Sequence, residues 1–184
     1  MSMKNLFLIL CLSFSLIGMS QEKYFTKTGV VVFEASVPSF EAVKATHKNV
    51  TVLLNTESGA LAALVLIKGF RFENALMEEH FNENYMESDT HSKANFKGRI
   101  EGFEMNAIGE SKQPLVMVGA MTIRGISKEV SFDVHMSKLA DFFFIDGMLI
   151  VNPTDFGIDI PGIVREKIAK NIKINLHLEL QPRG

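Results

Sequence analysis

The sequence predicts an all-β fold: a closed antiparallel barrel or a sandwich of about eight strands, with one or two short helices. Most of the chain after residue 20 alternates apolar and polar side chains with period two. Short turn signals separate these runs, and only two stretches carry a helical period. A length of 184 residues suits one domain after removal of a targeting segment.

That segment comes first. Residues 1–20, "MSMKNLFLILCLSFSLIGMS", carry Lys4 and then an uncharged apolar run from Leu6 to Gly18. A run of about 13 residues is shorter than the roughly 20 a spanning helix needs, and it fits the roughly 7–15-residue core of a secretory signal. Gly18 and Ser20 are the small residues expected just ahead of cleavage at Ser20/Gln21. The expected layout is a signal peptide over 1–20 and one domain over 21–184, periplasmic or secreted, with no stable membrane insertion after cleavage. Cys11, the only cysteine, lies in the signal, and Leu10 precedes it where a lipoprotein signal would carry a small residue. The mature chain therefore has no thiol for disulfides, nucleophilic catalysis or metal ligation. Its stability must come from a core, for which about 164 residues are enough.

Period-two runs follow near residues 24–36, 50–55, 60–69, 94–108, 114–124, 127–138 and 140–152. The last strand is the clearest. In "NIKINLHLELQ", Ile172, Ile174, Leu176, Leu178 and Leu180 share one face, and Lys173, Asn175, His177, Glu179 and Gln181 share the other. His177 is thus expected on a wet face. "NTESG" at 55–59 predicts a hairpin turn, and "RGIS" at 124–127 a tight connection in which Gly125 can take a positive φ. "ALAALVLIKG" and "DFFFIDG" are apolar on both faces, so those strands are expected to be covered on both sides. Helices are expected within 74–86 and within about 162–170, where Val164 and Ile168 stand i, i+4.

The net charge is −2 for the whole chain and −3 once Lys4 is removed, with no long basic run. No nucleic-acid partner is therefore expected. Fifteen Phe and ten Met with no Trp suit either an ordinary core or an adaptable apolar cavity.

The densest chemistry lies in "HFNENYMESD", residues 80–89. On a helix from Ala75, Met77, Phe81 and Tyr85 share one face, while His80, Glu83, Asn84 and Glu87 share a neighbouring polar one. His80 and Glu83 would be the acid–base pair of an enzyme. A zinc helix needs a second histidine at i+4, and an EF-hand loop needs its central glycine; both are missing. The expected role is an amphipathic lid that closes one end of the fold. Arg124 and Lys128 flank the Gly125 turn, either as surface charges or as holders of a phosphate. Asp155 and Asp159 around Gly157 suggest a loop bonded to its own backbone. His47, His91 and His135 are scattered, and no nucleophile elbow, P-loop or dinucleotide fingerprint occurs. No metal, cofactor or catalytic residue is expected.

Residues 113–130, "QPLVMVGAMTIRGISKEV", resemble the hallmark strand and turn of the YceI-like family, G-x-L-T-I-x-G-V-T-K. Gly119, Thr122, Ile123, Gly125 and Lys128 match; Met121 replaces leucine, and Ile126 and Ser127 replace the following pair conservatively. "EEHFNENYMESD" and "ANFKG" resemble a second family segment, although His91 and Ser92 stand where a tyrosine–proline pair is usual. "NPTDFGIDIPGIV" resembles the segment leading into the last strand, and the likeness runs from Tyr24 to Leu180.

The resemblance implies an eight-stranded antiparallel, lipocalin-like β-barrel with an apolar tunnel. It implies binding of polyisoprenoids or other long-chain lipids, often in the periplasm, and it offers no catalytic residue. The expected lining is Phe81, Tyr85, Val116, Val118, Phe142, Phe144, Ile174, Leu176 and Leu178, with His80, Arg124 and Lys128 near a head group. At about 0.8 kcal/mol per buried CH₂, a few isoprene units supply micromolar binding, on the order of −8 kcal/mol. The rival readings are an enzyme acting on a lipid through His80 and Glu83, and a filled barrel that serves as a protein-interaction module. An exposed hydrophobic strip would also support a homodimer.

Overall fold

A computed structural model describes residues 23–38 and 40–183. The expected signal peptide lies outside the described residues. Among the described residues nine strands form: β1 (Lys23–Ser36), β2 (Lys44–Asn55), β3 (Ala60–Leu66), β4 (Arg71–Phe72), β5 (Lys93–Glu101), β6 (Gln113–Ile123), β7 (Ile126–Leu139), β8 (Phe142–Val151) and β9 (Ile168–Pro182). Their order is β1-β9-β8-β7-β6-β5-β3-β2, and β2 pairs back to β1, so eight antiparallel strands close a barrel. The two residues of β4 pair with Thr46 and Ala45 of β2, outside that ring. Closure leaves the barrel strands without a free outer edge where their ladders are complete.

The alternation changes phase twice, and both changes have a local cause. In β1, burial passes from Tyr24 and Thr26 to Gly29 across exposed Lys27 and Thr28, where the pairing to β2 shifts. Thr26 Oγ1 accepts the Thr28 amide at 3.1 Å and braces this bulge. A Cβ on Gly29 would lie 2.8 Å from Leu178 Cδ2 and 3.1 Å from Val50 O, so the bulge packs closely around a glycine. In β2, burial passes from Ala45 and His47 to Val50 across Lys48 and Asn49. The 50–55 run is only the second half of β2, because the bulge hides the first half from a period-two reading.

Other boundaries also move. The 60–69 and 94–108 runs end as strands at Leu66 and Glu101, and each is followed by a short 3₁₀ turn, Ile67–Gly69 and Met105–Ala107. The helix expected within 162–170 is instead a three-residue 3₁₀ turn, Gly162–Val164, and Ile168 already belongs to β9. Two apolar residues i, i+4 are too few to hold a helix once Ile168 can pair with Ser36 of β1. Nor is β3 covered on both sides: Leu64 and Leu66 face outward, Leu66 at 50% exposure.

The "RGIS" connection is a two-residue hairpin turn. Ile123 pairs with Ile126, and Arg124 and Gly125 have φ of 48° and 75°, the type I′ geometry. Gly119 of the same motif serves close approach. It faces Gly98 of β5, and a Cβ on Gly119 would lie 2.4 Å from Gly98 Cα and from Lys97 O. The Phe96 ring reaches over this pair, since a Cβ on Gly98 would meet its Cζ at 2.6 Å.

The interior has two halves. One end is packed solid by Tyr24, Leu54, Ile100, Met136, Phe143, Ile145 and Leu180, with the Tyr24 and Phe143 rings edge-on at 4.7 Å. The other end is hollow.

Candidate functional site

The hollow half is a cavity of about 400 Å³. Its walls are the inward residues of the strands: Val31, Phe33 and Ala35 of β1, Val50 and Val52 of β2, Leu61, Ala63 and Val65 of β3, and Phe96 of β5. Met117, Met121, Phe132, Leu149 and Val151 continue the ring through β6, β7 and β8, and Ile172, Ile174, Leu176 and Leu178 of β9 complete it. Polar residue types are limited in the lining to His80, Tyr85, Asn95 and Lys167. Burial raises the Tyr85 phenol, which keeps it neutral.

Two segments cap this end. The first is α1 (Ala75–His80), continued by a π-helical turn over Phe81–Tyr85. Asn74 caps its N-terminus, its Oδ1 accepting from the Leu76 and Met77 amides at 2.9 and 3.4 Å. The Glu78 carboxylate anchors it, accepting from Arg71 at 3.0 Å and from the Phe72 amide at 3.2 Å. Met77, Phe81 and Tyr85 all turn into the cavity. Phe81 stacks on Phe33 at 5.2 Å and meets Phe70 and Phe72 at 5.6 and 5.2 Å. The second cap runs from Pro153 to Lys167 and inserts Phe156, Ile158, Ile160 and Val164.

Of the residues expected in the lining, the structure brings together Phe81, Tyr85, Ile174, Leu176 and Leu178. It places the other four elsewhere. Val116 and Val118 pair with Asp133 and Ser131 on the outer face, and Met117 and Met121 line the cavity instead. Phe142 and Phe144 also lie outside, while Phe143 belongs to the solid end. The physical reason is phase: β6 and β8 take theirs from polar neighbours. On β8, Asp146 must reach water, so Phe142 and Phe144 share its outward side. Its carboxylate accepts from His177 Nδ1 at 2.6 Å and from Lys112 at 2.7 Å. Burial pushes the Asp146 carboxyl upward, but the hydrogen bonds and charges of Lys112 and His177 outweigh it and hold the group below the ordinary carboxylate value. His177 thus sits on the outer face of β9, as its strand alternation implies.

The three expected head-group residues also separate. His80 stands in the lining. Arg124 does not: its guanidinium donates to Gly157 O at 2.5 Å and to the Glu87 carboxylate, tying the β6–β7 turn to both caps. Lys128 is exposed on the outside of the barrel. His80 and Glu83 share no hydrogen bond or ion pair among the described residues. No group of three or more His, Cys, Asp or Glu is placed to hold a metal ion among those residues.

Sequence reasoning left His47 unassigned. It is 1% exposed, its Nε2–H donating to Leu66 O at 3.0 Å while Nδ1 accepts the Asn49 amide at 3.0 Å. Phe70, itself in the cavity lining, packs edge-on against it at 5.3 Å. Burial lowers its pKa from 6.5; the Leu66 carbonyl opposes this and the Arg71 charge adds to it. Because the folded value lies below the unfolded one, the unfolded chain takes up the proton first. Stability is therefore full above about pH 6.5 and falls as pH drops toward the lowered value, by at most about 1.4 kcal/mol per pH unit. Urea unfolding at pH 7.5 and 5.5 is expected to show this loss, and His47→Gln to remove most of the difference.

The geometry agrees with what the chain is similar to. A polyisoprenoid-binding domain from Saccharophagus degradans, described as implicated in plant cell wall breakdown, superposes with a TM-score of 0.76 at 10% identity, covering 88% of this chain and 98% of that one. BcnA of Burkholderia cenocepacia gives 0.68 at 16%, covering 82% and 95%. The YCEI protein of Campylobacter jejuni gives 0.64 at 16%, covering 80% and 89%. At such identities the likeness establishes the shared barrel fold alone. No curated protein matches the chain in sequence. The model of the YceI-like domain, in contrast, matches residues 24–180, which reaches from the start of β1 into β9 and so spans the whole ring; the chain belongs to the YceI-like family.

Proposed function

We propose that the protein binds and carries a long apolar chain, an isoprenoid or fatty-acid derivative, inside the barrel and performs no chemistry on it. The observation that carries this reading is the cavity. Its volume of about 400 Å³ falls within the roughly 300–1,000 Å³ of small-molecule sites, and its walls are almost wholly aliphatic and aromatic. Such walls suit a ligand held by burial of CH₂ groups rather than by directed hydrogen bonds. The position of His80 in the lining at the capped end supports a contact with a polar head. The signal-like segment over 1–20 supports work in the periplasm or outside the cell.

The test is organic extraction and native mass spectrometry of protein purified from its own host, followed by thermal shift with geranylgeraniol and with palmitate. A bound lipid and a raised Tm are expected; a lipid-free protein that neither compound stabilises would overturn the reading. Replacing His80 and Glu83 with alanine is expected to leave chain binding in place. Turnover of the bound lipid that this double variant abolishes would instead establish the enzyme.

The lid supplies a kinetic prediction. Phe81→Ala removes the ring that joins Phe33, Phe70 and Phe72. Stopped-flow release of a fluorescent fatty acid is expected to quicken about tenfold, with a stability loss of about 1–2 kcal/mol, less than for a fully buried phenylalanine.

A further inference from the structure

The barrel opens along the seam between β7 and β8. β7 stays paired to β6 out to Ile126, and β8 stays paired to β9 out to Val151. Between β7 and β8, however, the ladder covers only Val134–Leu139 against Phe142–Gly147. Continued in register it would set Asp133 against Met148 and Ser131 against Ile150, but the strands diverge there. Phe156 of the second cap is buried beside Val151 and Ile123 at the mouth of the divergence. Outside lies a slot of about 570 Å³ lined by residues 128–133, residues 148–151, Asp155 and Phe156.

Two facing strand edges without their ladder partners call for backbone donors and acceptors. A hydrocarbon tail passing sideways through this seam would leave those groups unsatisfied against it. An extended peptide would satisfy them. We propose that the slot is a strand-addition site for an extended segment of another protein. The occupant's character follows from the lining. The lining carries three carboxylates, Glu129, Asp133 and Asp155, and one amine, Lys128, so lysine or arginine is favoured. Met148 and Ile150, 44% and 60% exposed, form an apolar lip for the alternate side chains. The four residues 148–151 span about 13 Å of strand and set the minimum length of the motif. Phe132 and Leu149 belong both to this slot and to the cavity wall, so a docked strand would lie directly against the ligand chamber.

The probe is a dye-labelled, end-blocked Val-Lys-Val-Lys-Val-Lys peptide, compared with its alternately N-methylated form and with a Val-Glu counterpart. Fluorescence anisotropy is expected to show binding of the lysine peptide, with N-methylation weakening it at least about tenfold through lost backbone hydrogen bonds. The glutamate peptide is expected to bind more weakly, and Glu129→Gln with Asp133→Asn, both on the exposed face, to narrow that preference while leaving the Tm unchanged. Within 128–133 and 148–151, the alternate amides that point into the seam, away from β6 and β9, should exchange fast in the free protein and slowly with the lysine peptide bound. Failure of the lysine peptide to bind, equal binding of the N-methylated form, or slow exchange in the free protein would overturn the proposal.

Discussion

Ala63→Trp is expected to weaken loading of the cavity by about two orders of magnitude while leaving the barrel folded. Ala63 projects from β3 into the hollow half, facing Val52 across the β2–β3 ladder. An indole there fills space that a ligand chain would occupy. Excluding three or four methylenes at about 0.8 kcal/mol each weakens binding by about 100-fold. The solid end is untouched, and the added ring gains apolar contacts, so the ligand-free Tm is expected to hold or rise. Binding of a fluorescent fatty acid and the thermal midpoint, measured on the same sample, separate the two effects. Undiminished binding would mean that chains are held somewhere other than this cavity.

The second large effect concerns the fold. Gly119→Ala is expected to cost about 3 kcal/mol, read by urea unfolding. The new methyl group would stand 2.4 Å from two backbone atoms of β5, which cannot rotate aside as a side chain can. The strands must part, and Phe96 loses the bed on which its ring lies. Gly109→Ala is the control: nothing stands within 4 Å of a Cβ there, and its φ is not positive. It is expected to change stability by no more than about 0.5 kcal/mol. If both variants behave alike, the close approach of Gly98 and Gly119 is not what the motif glycine provides.

Much of the barrel was legible in the chain because strands with one wet face announce themselves with period two. β9 is the plainest case: Ile174, Leu176 and Leu178 line the cavity, and His177 lies outside with Asp146. The lid was legible for a similar reason, since Met77, Phe81 and Tyr85 keep one face across α1 and the π turn. Phase was lost where a strand is apolar on both sides. In "LVMV" and "FFF" no polar residue within the run marks the outer face. Asp146 lies two residues beyond "FFF", and the cross-strand neighbours Ser131 and Asp133 supply the mark for β6, but only once the register is known.

By itself, then, the sequence determined the all-β class, the lid, the hairpin at Arg124–Gly125 and the family likeness. These depend on local periodicity, turn chemistry and short motifs. Tertiary structure alone decided that one half of the barrel is solid and the other hollow, that Phe33, Phe70, Phe72 and Phe81 converge, and that β7 and β8 part along a seam. Each of these depends on which residues meet across strands far apart in the chain. Closing the ring sets those meetings, and period-two alternation carries no information about them.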